Sequence, residues 1–148
     1  MALKLSTGLR NSILVTGSAK ARMDGKVLKI FAGAAPATAD AALGAAVLLC
    51  TITNDATATA LTFDPTPVNA VMFKAPTEIW RGVNSAAGNA TFYRLEDAAD
   101  VGDASTTAER VQGTVSAGGG GDLNLSSVAL VAGASQGIDF YSIELPTA

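Results

Sequence analysis

The chain has 148 residues and a formal net charge of −3, from 10 Lys and Arg against 13 Asp and Glu, with no His and a single Cys. Without imidazole there is no Ser-His-Asp or Cys-His machinery, no histidine-ligated zinc and no side chain that ordinarily titrates near neutrality, and a sequence pI near 4.7 gives nucleic acid no broad basic footprint to follow. Ala accounts for 29 residues and Leu, Ile, Val and Phe together for only 36, so the length suits one domain with a thin core that oligomerisation or surface binding would support.

In chain order, Leu5, Leu9 and Ile13 recur at i, i+4 and i+8 and predict an N-terminal helix, capped by Ser6 or Thr7 and ended at Gly17. A second helical turn is expected from Ser18 to Asp24, with Gly25 as its left-handed stop. Both are too short to stand without packing. From Lys26 onward the signal changes to short β-favouring runs: Val27–Ala32, Val47–Thr53, Val68–Ala75, Glu78–Arg81, Ala90–Glu96, Arg110–Val115, Ser127–Val131 and Ile138–Leu145. Between them, 33–44, 54–59, 84–89, 97–107 and 117–122 are rich in Ala, Gly, Ser, Thr, Asn and Asp and read as exposed loops. Thr38–Ala46 has the alternative of one or two helical turns, since Ala favours helix and Thr38 suits an N-cap. The expected fold is mainly β: a single-domain antiparallel sandwich or barrel, jelly-roll-like, over 26–148, with a short helical segment over 1–25.

Four stretches imitate functional motifs. Val131-Ala132-Gly133-Ala134-Ser135-Gln136-Gly137-Ile138-Asp139 resembles a dinucleotide turn, yet its last glycine position holds Asp139 and too little chain follows for a βαβ unit. Ile13-Leu14-Val15-Thr16-Gly17-Ser18 opens the same way with no second glycine until Gly25. Gly118–Gly121 is followed by Asp122 and Leu123 where a phosphate loop needs Lys and then Ser or Thr, so it reads as a hairpin tip. Glu96, Asp97, Asp100 and Asp103 are acidic without the spacing of a calcium loop, so they read as a solvated loop. Cys50, within Val47–Ile52, reads as a buried strand thiol. Carboxylate-pair glycosidase chemistry needs no His, but the acids gather in loops away from Trp80, Tyr93 and Tyr141, and no enzyme and no cofactor are expected.

Leu5–Asn11, Thr16–Ser18, Val27–Ala42, Glu78–Trp80, Ala90–Arg94 and Asp122–Ser127 resemble, in texture and motif order, small virion-associated proteins from the structural gene modules of tailed bacteriophages. The resemblance covers most of the chain and implies a structural phage protein that decorates or cements the capsid shell. It implies the major capsid protein as partner, a homo-oligomer on the particle, and assembly in the host cytoplasm on the way to the virion surface. A neck or tail structural protein and a glycan- or receptor-binding module are the alternatives. No membrane partner is expected, because no apolar run nears the roughly 20 residues of a membrane helix and no secretory apolar stretch follows Met1–Lys4. The candidate docking arm is Ala2–Met23, with Leu5, Leu9, Arg10, Ile13, Lys20 and Arg22 as contact residues. Its alternative is a helix packed on its own sheet.

Overall fold

The computed structural model describes residues 3–144. Its strands are β1 (Lys4–Leu5), β2 (Val27–Ala32), β3 (Val47–Asn54), β4 (Val71–Phe73), β5 (Trp80–Val83), β6 (Gly88–Glu96), β7 (Val111–Ala117), β8 (Leu123–Leu125), β9 (Ala129–Leu130), β10 (Ser135–Ile138) and β11 (Ser142–Glu144), and its helices are α1 (Thr7–Val15) and α2 (Ala19–Met23). Nine strands form one sheet in the order β1-β7-β6-β2-β3-β5-β10, with β8 beside β7 and β9 beside β6, while β4 and β11 make a separate ribbon. The pairings are antiparallel except for β7 with β8. The result is a sandwich-like β fold, and the sheet does not close into a barrel.

The centre of the sheet is set by β2 and β6, which pair Leu28 with Leu95, Lys29 with Arg94, Ile30 with Tyr93 and Phe31 with Phe92. Successive side chains point to opposite faces. Leu28, Ile30, Tyr93 and Leu95 therefore share the face that enters the main apolar core, alongside Leu49, Cys50, Ile52 and Val111. Lys29, Phe31, Phe92, Arg94 and Glu96 share the other face, and they too are buried. A sheet covered on both sides loses the apolar-polar alternation of exposure, and β2 is buried from Val27 to Phe31 without a break.

An aromatic knot joins the sheet to the β4/β11 ribbon. Phe63 meets Trp80 edge-on at 5.4 Å, Trp80 meets Tyr141 at 5.5 Å, and Tyr93 meets Tyr141 edge-on at 5.7 Å. Such pairs contribute about 0.5–1.5 kcal/mol beyond their area burial. The Tyr93 and Tyr141 hydroxyls satisfy one another at 3.0 Å. Ile143 of β11 belongs to the same core.

The two expected helices are present, with Ser6 and Ser18 as N-caps whose hydroxyls accept from Leu9 N and Ala21 N. Gly25 takes the left-handed conformation expected of it. β2, β3, β6 and β7 fall on their predicted runs within about two residues. Val68–Ala75 is shorter than expected, since Asn69 and Ala70 turn the chain and only Val71–Phe73 forms β4. Ile138–Leu145 divides into the end of β10 and β11, and Leu145 lies outside the described residues. Thr38–Ala46 forms no helix, because its carbonyls are drawn instead to side chains of the sheet. The short strands β1 and β8 have no advance signal in the sequence.

Candidate functional site

The outer face of β2, β6 and β7 is a buried layer of charge. Lys29, Arg94, Glu96, Arg110 and Gln112 are all buried there, which ordinarily carries a large desolvation cost unless each charge finds a partner. The partners come from the two long loops that cover the face, 33–46 and 97–110. Arg110 donates from Nε and Nη2 to the two Asp100 carboxylate oxygens at 2.6 and 2.8 Å, from Nη2 to Asp103 O at 2.8 Å, and from Nη1 to Ala39 O at 3.2 Å. Arg94 donates to Ala41 O and to Gln112 Oε1, and Gln112 Nε2 in turn donates to Pro36 O. Lys29 Nζ donates to Asp100 O at 2.6 Å.

This pattern follows from composition. Loops built of Ala, Gly, Ser and Thr have few large apolar side chains to bury, so their carbonyls are the groups available for anchoring. Guanidinium offers five donors in a fixed fork, enough to hold two loops at once. Asp40 ties the 33–46 loop to α1, accepting from Thr7 N at 2.8 Å and Thr7 Oγ1 at 2.6 Å. Glu109 ties the far end to the helices, accepting from Arg22 Nε at 2.9 Å and Lys26 Nζ at 3.0 Å.

The ionisation of the layer is correspondingly perturbed. Burial pushes the Glu96 carboxyl up, and the Lys29 ammonium only partly offsets it. Lys29 Nζ donates to Asp100 O and at the same time lies 3.0 Å from Glu96 Oε1 as an ion pair, so one ammonium serves both acidic residues. Burial also pushes against Asp100 and Glu109, yet hydrogen bonds from Arg110 and Gly102 to the first, and from Ser12, Lys26 and Arg22 to the second, leave both below the ordinary carboxylate range. The Thr7 hydroxyl holds Asp40 low. Burial alone raises the Cys50 thiol to about 11.

The acidic loop read from the sequence is thus corrected in part. Asp97 and Asp103 are exposed as expected, whereas Glu96 is wholly buried and the Asp100 side chain nearly so. The cations that Glu96 and Asp100 meet are the ammonium of Lys29 and the guanidinium of Arg110. Val131–Asp139 is a turn followed by β10. Gly118–Gly121 lies in the connection between β7 and β8, but these strands pair in parallel, so the expected hairpin tip is corrected to a loop that carries the chain back to start β8 alongside β7 in the same direction.

The proposed arm residues are largely engaged within the chain. Leu5 pairs with Val111 in β1–β7, Leu9 is 1% exposed in the core, and Ile13 packs on that core. Lys20 pairs with Asp24 and Arg22 with Glu109. Only Arg10 is exposed, donating to Thr7 Oγ1. The segment from Leu3 to Met23 is therefore seated on its own sheet, and Ala2 lies outside the described residues.

What stands free is apolar. Leu14 and Val15 close α1 at 80% and 85% exposure. A few residues further, a groove of about 400 Å³ runs between the start of α2 and the β4/β11 ribbon, lined by Ala19, Pro65, Pro67, Ala70, Met72 and Ile143, with Lys20 and Asp64 among its polar residues. Val68, at the tip of the same ribbon, is also exposed. Sequence periodicity found Leu9 and Ile13 but missed this end, because helix spacing identifies the face that is buried and leaves the remaining apolar residues unassigned.

Compared with protein-family profiles, curated proteins and solved structures, the chain matches none of them.

Proposed function

We propose that this chain is a structural subunit that docks on a larger assembly, and that the assembly is the capsid shell of a tailed phage, which it decorates or cements. The observation that carries the docking reading is the apolar end: Leu14 and Val15 in solvent beside an apolar groove. Clustered exposed apolar side chains mark interaction surfaces, where single scattered ones do not. The buried charge layer supports the same reading, since Lys29, Arg94 and Gln112 of the sheet bond the two long loops and Arg110 bonds the loops to each other, so the covered face is already ordered before binding. The shell itself is supplied by the resemblance of Leu5–Asn11, Val27–Ala42 and Ala90–Arg94 to small phage virion proteins. Binding only the assembled lattice stabilises it by mass action, by about 2.7 kcal/mol per site at a hundredfold excess over Kd.

The test is the copy number of the chain in purified virions relative to the major shell protein, by quantitative mass spectrometry with labelled standards. Copies in fixed proportion to shell subunits are expected. The number of a single ring would move the protein to the neck or tail, and its absence from particles would overturn the virion assignment.

A further inference from the structure

We propose that a polar cavity between 121–126 and 137–142 binds a neutral saccharide, through the hydroxyls of the sugar and the C–H face of its ring. The inference goes beyond the docking reading and does not depend on the phage assignment.

The cavity measures about 400 Å³ and is lined by Asp122, Asn124 and Ser126 from β8 and its flanks, and by Asp139, Phe140 and Ser142 from the β10–β11 connection and the start of β11. That size falls within the range of small-molecule sites. Two of the polar side chains are fixed before any ligand arrives. Asp122 Oδ2 accepts from Thr114 N at 2.8 Å and from Thr114 Oγ1 at 2.9 Å, and Asn124 Oδ1 accepts from Ser116 Oγ at 2.8 Å and from Gly121 N at 3.2 Å. Hydrogen-bonding capacity is left over around them. Asp122 Oδ1, the Asp139 carboxylate and the hydroxyls of Ser126 and Ser142 have no partner among the described residues.

This lining selects the ligand. No Lys or Arg is part of it, and its two carboxylates repel phosphate, sulfate and acidic sugars. A carboxylate only accepts, so the ligand has to donate, while the serine hydroxyls both donate and accept. The neighbouring hydroxyls of a pyranose match that mixture, because each of them donates and accepts in turn. Phe140 supplies the other surface that a sugar uses. It is 66% exposed, and its ring leans on Phe73 with the centroids 5.9 Å apart, so it is supported without being covered. The negative face of an aromatic ring attracts the weakly positive C–H groups of a pyranose. An ammonium group also donates to carboxylates and lies well over an aromatic ring, but it has nothing to accept the serine hydrogens.

The full chain is tested on an array of neutral oligosaccharides of glucose, galactose, mannose and N-acetylglucosamine, with sialylated and glucosamine oligosaccharides as acidic and basic comparators. The best neutral binder is then titrated and followed by amide NMR. At least one neutral oligosaccharide is expected to bind, with shifts gathered in 121–126 and 137–142 and an affinity that salt changes little. Asp139→Ala and Phe140→Ala, both at exposed positions and checked by circular dichroism, are each expected to weaken binding about tenfold or more. Val101→Ala, exposed outside the cavity, is expected to leave it unchanged. The wild-type shift map stands whether or not either cavity variant folds. No binding to any neutral oligosaccharide overturns the proposal, as do shifts gathered elsewhere. Binding confined to glucosamine oligosaccharides and lost in salt overturns it too, and makes the cavity a site for cations. Each of these failures leaves the particle copy number, and with it the virion reading, untouched.

Discussion

Asn69 and Ala70 both hold positive φ, at 51° and 63°, and the flanking Val68 and Val71 exchange both backbone hydrogen bonds at 3.0 Å. Two consecutive left-handed residues make the two-residue turn whose twist suits a hairpin, and Asn-Gly is its preferred sequence. Ala in that conformation costs roughly 1–2 kcal/mol through the contact of Cβ with the following carbonyl. Glycine removes that cost and gives back about 0.4–1 kcal/mol in unfolded-chain entropy. Ala70→Gly is therefore expected to raise Tm by about 1–3 °C, while Ala21→Gly in the right-handed, exposed α2 lowers stability by roughly 0.5–1 kcal/mol. Calorimetry on both variants checks the opposite signs, and a loss of stability in both would contradict the turn. The hairpin was only half visible in the sequence, since Asn69 is a turn former and Ala70 is not.

At the scale of elements, the N-terminal segment is an integral part of the sheet's support. Ser6, fully buried, caps α1 and at the same time donates from Oγ to Ala108 O and accepts from Arg110 N. Gly8 lets α1 lie against the covering loop: a Cβ there would stand 2.3 Å from Thr107 O. Helix propensity alone favours Gly8→Ala by up to about 1 kcal/mol, whereas the clash with backbone costs about 1–3 kcal/mol or more. The expected outcome is destabilisation with loss of amide-exchange protection in 105–110; a gain in Tm would show that α1 is not seated there. Deleting Ala2–Met23 removes Leu9 and Met23 from the core along with the Ser6 bridge. The capping serines and the apolar spacing of α1 were legible in the sequence, but its docking partner is a loop a hundred residues away and no local pattern encodes it.

For the whole molecule, acid is the condition that the charge layer opposes. Asp40, Asp100 and Glu109 have folded-state pKa values below their ordinary 3.8, 3.8 and 4.5. A depressed carboxylate contributes stability above its unfolded pKa and loses it as pH falls through the folded value. Glu96 acts in the opposite sense: its raised pKa means that its ionisation opposes folding, and acid relieves that. Asp40, Asp100 and Glu109 are the groups that hold both covering loops and the helices, so their protonation in acid releases those contacts. The urea midpoint is thus expected to stay nearly flat through neutrality, where no His titrates, and to fall below about pH 4. Asp100→Asn is expected to lower the neutral plateau and flatten the acid limb. A wild-type midpoint unchanged from neutral to strongly acidic pH would show that these carboxylates do not hold the loops.

By itself the sequence determined the β class, the capped helices, the β2 and β6 runs and the burial of Cys50, because these depend on local propensity and on alternation within a few residues. Tertiary structure decided what covers the second face of the sheet. Glu96, Asp100, Arg94 and Arg110 carry the same composition whether they are solvated or buried, and their burial depends on where the 33–46 and 97–110 loops come to rest. It also decided which apolar residues stay in solvent. Leu9 and Leu14 are the same residue type on one short helix, and only the position of the sheet against that helix places one in the core and leaves the other outside.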